Sequence, residues 1–239
     1  MARLSRFFMP NQPMHVIHRG KGGKRVFFGK SDYALYRDWL AEAADKYGCA
    51  VHAYVLMPNH VHLLVTPKSE RSLPRLMQSL GRRHSRHVNV GRGLAGSRWE
   101  GRYRAAPVEA GPFLIDCMRY IETNPVRARM SRSAGGHAWS SYAAHAKGTA
   151  DPAIKDHRLY AAMGATPGRR QAAYGKLAGK ALPADFIDAL RAATNGGWAL
   201  GSDAFKRRLS ESAGRRVMPL PRGRPPKARK APVRRKRKG

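Results

Sequence analysis

The chain has 239 residues and a mass of 26.5 kDa, enough for one core and a smaller appended module. A hydrophobic content of 42% suits a folded protein, while 46 Lys and Arg against 15 Asp and Glu give a formal charge of +31, a self-repulsion best relieved by a polyanionic partner. There is no long apolar run and no basic helix with a bulky apolar face, so nucleic acid explains the charge better than a membrane surface does.

Residues 215–239 hold twelve of the basic residues and no acid, leaving 34 basic against 15 acidic residues in the remainder. The body is therefore basic in its own right. Cys49 and Cys117 are too few for a disulfide framework or a cysteine-rich zinc site, and both are expected to act as small buried hydrophobes. Residues 1–10 offer only Phe7, Phe8 and Met9 where a signal peptide needs a longer apolar core, which sets the expectation of a cytoplasmic, nucleoid-associated protein.

In chain order, residues 14–18 alternate like a short strand and 19–24 form a basic turn, with 26–28 extending the first β region. Ser31 and Asp32 offer N-cap chemistry to a helix that places Leu35, Trp39 and Ala43 on one side and stops at Gly48. Residues 50–57 and 60–66 are β-rich runs around Pro58-Asn59, a hairpin. A basic helix is expected over 73–90, a strand over 102–109, and a helix over 112–123 with Pro112 in its first turn. This order predicts an α+β, ferredoxin-like (RRM-like) sheet with helices on one face. Shorter helical pieces over 169–178, 183–194 and 202–212 predict a helical extension, and residues from 215, with five prolines and little apolar bulk, a disordered basic tail.

Two features point to chemistry. In His60-Val61-His62 the two-residue repeat of a strand sends both imidazoles to one face, where they can share a metal ion; a solvent-facing strand that carries histidines is the plainer alternative. At helical spacing Phe113, Cys117, Tyr120 and Asn124 cluster along one side, placing a phenol and an amide one turn apart; a core-edge aromatic and a C-terminal cap would look the same. Together the four residues make a sensible phosphodiesterase, with a phenolate attacking phosphorus and a metal polarising a phosphate oxygen. Two imidazoles and a carbonyl oxygen suit Mg²⁺ or Mn²⁺.

Four ordered strings carry a family resemblance: residues 57–65 (MPNHVHLLV), 99–103 (WEGRY), 120–128 (YIETNPVRA) and 139–142 (WSSY). They resemble the REP-associated tyrosine transposases and, more widely, the single-tyrosine HUH transposases that cut and rejoin single-stranded DNA. The resemblance implies a ferredoxin-like nuclease domain over 10–128, a helical extension over 129–214 and a tail over 215–239. It implies His60, His62 and Asn124 as metal ligands and Tyr120 as the nucleophile of a strand transferase acting on single-stranded or hairpin DNA, as a monomer or homodimer without membrane contact. Many insertion-sequence relatives carry glutamine where Asn124 stands, and Asn fits the REP-associated branch. Glu122 stands where many relatives carry a less charged residue, and helical spacing turns it off the active face. A non-catalytic DNA- or RNA-binding protein of the same fold, or a replication or conjugation initiator of the HUH type, stays open as an alternative.

The nine arginines from 71 to 104, opposed within that stretch by Glu100 alone, could track a DNA backbone, with Arg82, Arg83, Arg86, Arg102 and Arg104 as the expected contacts. Tyr103 is the expected base-stacking group, and His84 and His87 expected phosphate contacts. In the tail, residues 221–225 (PRGRP) resemble an AT-hook core, with Arg222 and Arg224 entering the minor groove of A·T-rich DNA.

Overall fold

A computed structural model describes residues 9–219. Four antiparallel strands, β1 (Met14–Arg19), β2 (Cys49–Met57), β3 (His60–Pro67) and β4 (Arg104–Pro107), form one sheet in the order β2-β3-β1-β4. α1 (Lys30–Tyr47) connects β1 to the β2–β3 hairpin, α2 (Ser72–Arg92) connects β3 to β4, and α3 (Pro112–Glu122) follows β4. This is the expected α+β, ferredoxin-like order. Residues 26–28 form no strand; Val26 and Phe27 are instead buried under α1, where the Asp32 carboxylate accepts from the Phe28 and Gly29 N–H groups and closes the helix N-terminus.

Helices cover both sheet faces, which corrects the expectation of one. Met14, Val16, Tyr54, Leu56, Val61, Leu63 and Val65 pack with α1 and α2 in a first core. Ala53, Val55, Leu64 and Ala106 point the other way and pack with α3 and the extension in a second. The reason lies largely in β2, whose second set (Ala53, Val55 and Met57) is apolar as well. With Leu64 and Ala106 it needs cover from water, although the same face carries His15, Arg19, His60 and His62 on β1 and β3.

After α3 come α4 (Asn124–Arg127), α5 (Tyr142–Lys147), α6 (Arg158–Ala161), α7 (Pro167–Ala178), α8 (Ala184–Gly196) and α9 (Asp203–Ala213). This extension is built onto the sheet. The Leu56 N–H donates to Trp139 O and the Lys155 N–H to Val51 O, Trp139 stacks on Tyr33 with centroids 5.0 Å apart, and Tyr174 and Leu190 are fully buried in the second core. Past the expected boundary at 214 the chain is still packed: Val217 is 2% exposed and its carbonyl accepts from the Ala199 N–H.

The extension decides the environment of α3. Glu122 points off the active face as expected, yet it is wholly buried there, accepting from Ser141 Oγ, from His145 Nδ1 at 2.7 Å and from the Tyr174 hydroxyl at 2.6 Å. Burial would push the His145 imidazole down, but the Glu122 charge and hydrogen bond outweigh it and hold its pKa above the ordinary value. Arg119, also buried, binds Asp116 and the Lys180 carbonyl. A helix that looks amphipathic by itself is thus buried nearly all round.

Candidate active site

The face of β3 that carries His60 and His62 is continued across the sheet by register: His60 lies opposite Arg19, and His62 opposite Ile17, on β1. α3 crosses this face, and its last turn leads through Thr123 directly into α4, so Tyr120 and Asn124 follow one another along the same wall. The four residues expected to carry chemistry line one cavity of about 270 Å³ together with His15, Ile17, Arg19, Arg127, Arg191 and Thr194. The Tyr120 ring meets His62 edge-on, centroids 5.8 Å apart, and His15 likewise at 5.9 Å. Asn124 starts α4 rather than capping α3, its carbonyl accepting from the Ala128 N–H and leaving the side-chain amide on the cavity wall.

Both ligand-type histidines are held at Nδ1. His60 Nδ1 lies 2.7 Å from Asn59 Oδ1, an acceptor, so it carries the proton and Nε2 keeps a lone pair. The Asn59 amide is oriented in turn by donating Nδ2 to the Gly23 carbonyl. That contact needs the tight turn at 20–24, where a Cβ on Gly20 would sit 2.1 Å from the Lys24 carbonyl oxygen. His62 Nδ1 lies 2.9 Å from His15 Nε2, and His15 Nδ1 lies 2.7 Å from Thr194 Oγ1. Burial lowers the His15 pKa to about 3; burial with Arg19 alongside lowers that of His60 to about 4. His62 is held well below its ordinary value by burial and by the neighbouring imidazoles and arginines. All three are neutral imidazoles near pH 7, the form that coordinates a metal. Two such nitrogens and an amide on one wall fit a hard or borderline divalent cation; no cluster of three His, Cys, Asp or Glu side chains suited to a metal occurs among the described residues.

Arg127 completes the wall. Its guanidinium lies 4.1 Å from the Tyr120 ring centroid, anchored by the Tyr120 carbonyl and by Thr123 Oγ1 at 2.7 Å. A second cavity of about 270 Å³ shares Ile17 and Arg19 with the first and adds Arg102 and Arg104, the latter bonded to Asn195 Oδ1 at 2.7 Å. Arg82 and Arg86 lie elsewhere, on a groove of about 870 Å³ between α2 and residues 96–103 that Arg102 also borders. Arg83 faces α1, paired with Glu42 at 2.7 Å and lying over Trp39.

Three expectations are corrected. Tyr103 is only 7% exposed, in the first core with its ring edge-on to His18, so no ring face is open to a base. His84 is fully buried with Nε2 on the Val26 carbonyl, and His87 Nε2 is bonded to Asp32 Oδ1 at 2.8 Å, so neither serves a phosphate. Both cysteines are buried as expected, and burial pushes the Cys49 thiol up to about 12. Arg222 and Arg224 lie outside the described residues. His15, Arg19, Arg127, Arg191 and Thr194 were not marked by sequence patterns. The β1 alternation of His15, Ile17 and Arg19 was a signal for the first two, but only strand register shows which face they share.

Fold and cavity define the class: a ferredoxin-like α+β protein whose sheet carries His-x-His facing a helix-borne tyrosine and amide. Residues 9–124 match the family model described as "Transposase IS200 like". This segment, just under half of the chain, is therefore similar to the IS200-like transposases, DNA-processing enzymes. Among solved structures, a REP-associated tyrosine transposase bound to a REP hairpin is similar at 12% identity, TM-score 0.53, over 66% of this chain and 93% of that one. A protein from Deinococcus radiodurans R1 described as a candidate transposase aligns at 18% identity, TM-score 0.36, over 55% of this chain and 94% of that one. No curated protein matches the chain. Among the described residues no helix is long and apolar enough to cross a membrane.

Proposed function

We propose that this transposase is a metal-dependent endonuclease and strand transferase acting on single-stranded or hairpin DNA, with Tyr120 as its nucleophile. The observation that carries the reading is the convergence of His60, His62, Tyr120 and Asn124 on one cavity. A Mg²⁺ or Mn²⁺ ion held by His60, His62 and Asn124 would supply Lewis-acid polarisation of the scissile phosphate.

The Tyr120 oxygen attacks phosphorus and releases its phenolic proton. The phosphorus–O3′ bond breaks, the departing oxygen takes up a proton to become a free 3′-hydroxyl, and a 5′-phosphotyrosine remains. The ester conserves the energy of the broken bond, so no nucleotide cofactor is needed. Arg127, over the Tyr120 ring, favours negative charge on the phosphate bound beside it, and Arg19 and Arg191 add positive charge to the same cavity. Arg102 and Arg104, bordering the adjoining cavity, extend this charge along the path of a bound strand. Arg82 and Arg86 serve as phosphate contacts on the groove beside α2.

The test is labelled hairpin DNA incubated with the full chain and Mn²⁺, followed by a denaturing gel. A covalent protein–DNA adduct is expected with the wild type and none with Tyr120→Phe, which removes only the attacking oxygen. Slow hydrolysis by water without an adduct is compatible with the reading. An adduct at normal yield in Tyr120→Phe would overturn it, because another residue would then be the nucleophile.

A further inference from the structure

The hydrogen-bond chain behind His62 can be read from its far end. The Thr194 hydroxyl donates to the Leu190 carbonyl at 2.8 Å, so its single proton is committed and its oxygen can only accept from His15 Nδ1. His15 Nδ1 therefore carries a proton. His15 is 2% exposed, and the cavity it lines contains arginines and no carboxylate, so the ring is neutral and its Nε2 is an acceptor. Among the described residues the group placed to donate into that nitrogen is His62 Nδ1–H. His62 is then the Nδ1–H tautomer, its Nε2 bearing a lone pair that takes no protein hydrogen bond among the described residues.

We propose that Thr194 and His15 are positioning residues that fix the tautomer and ring orientation of His62, so that α8 of the extension is part of the metal-binding centre. The inference rests on the metal reading of His60 and His62 given above. Ring geometry supports it: the His15 and His62 planes lie 5° apart with centroids 5.1 Å apart, the coplanar arrangement of an in-line hydrogen bond between ring nitrogens, so His15 restrains the ring plane as well as the proton. The arrangement also explains why a threonine is buried, at 3% exposure, on the sheet-facing side of α8. A second hydrogen-bonded group behind a coordinating histidine is commonly worth ~10- to 100-fold in metal affinity.

The experiment uses full-length protein with ¹⁵N-labelled histidine. Long-range ¹H–¹⁵N correlation spectra of the metal-free protein read the tautomers, and the electron spin resonance of free Mn²⁺ reads affinity for Mn²⁺ alone. The wild type is expected to show His62 protonated at Nδ1 with a lone pair at Nε2. Thr194→Val, which keeps the shape and removes the acceptor, is expected to mix the tautomers of His15 and His62 and to weaken Mn²⁺ binding by about tenfold or more. Thr194→Ser, which keeps the hydroxyl, is expected to restore both.

A wild-type spectrum with the His62 proton on Nε2 would overturn the proposal whatever the variants do. So would a Thr194→Val protein with an unchanged His62 tautomer, or with a mixed tautomer and unaltered Mn²⁺ affinity. If the wild type shows the expected tautomers but binds no Mn²⁺, the hydrogen-bond chain stands and the metal reading falls.

Discussion

Replacing Glu122 by glutamine keeps the side chain's volume and removes its charge, in a place where water cannot compensate. The carboxylate is wholly buried and takes hydrogen bonds from Ser141, His145 and Tyr174, with His145 raised in pKa by that contact. A hydrogen bond to a charged group contributes about 1.5–3 kcal/mol, and breaking a buried ion pair by removing one partner costs about 3–5 kcal/mol. Glutamine can still accept from two of the three donors, so the expected destabilisation is about 3 kcal/mol. Glu122→Ala also opens a cavity and should cost more. The assay is urea unfolding, read as a lower midpoint at unchanged slope. A pH signature accompanies it. Because the folded His145 pKa lies above the unfolded one, its contribution is full below the unfolded value and is lost as pH rises through the folded value. That decline in stability above about pH 6.5 should be present in the wild type and absent in Glu122→Gln. A destabilisation under about 1 kcal/mol, or an unchanged pH dependence in the variant, would refute this account of the second core.

Further outcomes can be set beside this one. His60→Ala or His62→Ala should abolish adduct formation while DNA binding, carried by dispersed arginines, survives in a gel-shift titration; cleavage at the wild-type rate would remove the residue from the metal site. Asn124→Ala should be milder in the same cleavage assay, since water can replace one oxygen ligand on a hard cation. Burial holds His52 and His84 to about 4, so as pH falls from 6.5 towards 4 the unfolded chain takes up protons that the folded one refuses. Stability should then drop by up to about 1.4 kcal/mol per pH unit for each such histidine, and a flat urea midpoint over that range would contradict the burial. Truncation after Leu220 spares the packed Val217 and removes Arg222 and Arg224. Its salt dependence of DNA binding should flatten by about 0.7–0.9 in log–log slope for each phosphate that the tail had neutralised, and an unaltered slope would mean the tail leaves DNA untouched.

The parts of the site legible in the sequence were those encoded by local periodicity. Two residues on a strand set the common face of His60 and His62, and four on a helix set Tyr120 beside Asn124. What was not legible depends on partners far along the chain. His84 looked like one of a row of basic groups because its acceptor, the Val26 carbonyl, comes 58 residues earlier. Glu122 could be placed off the active face but not in a buried network, because the groups that bury it, Ser141, His145 and Tyr174, belong to the extension. The second layer of helices went unseen for the same reason: only the pairing of β2, β3 and β1 brings Ala53, Val55, Leu64 and Ala106 together into an apolar patch beside the histidines of the opposite face.

Thr194 on α8 touches His15 on β1 across a separation of 179 residues, whereas the family segment ends at residue 124. Anyone trimming this chain to its recognisable half, or exchanging that half with a relative's, would carry away His60, His62, Tyr120 and Asn124 but leave behind Arg127 and Arg191 of the same cavity and Thr194, the residue proposed to set which way His62 faces. A shortened form of this protein should therefore keep the sheet paired with α8, and with the Ser141, His145 and Tyr174 groups that bury Glu122, rather than follow the motif boundaries.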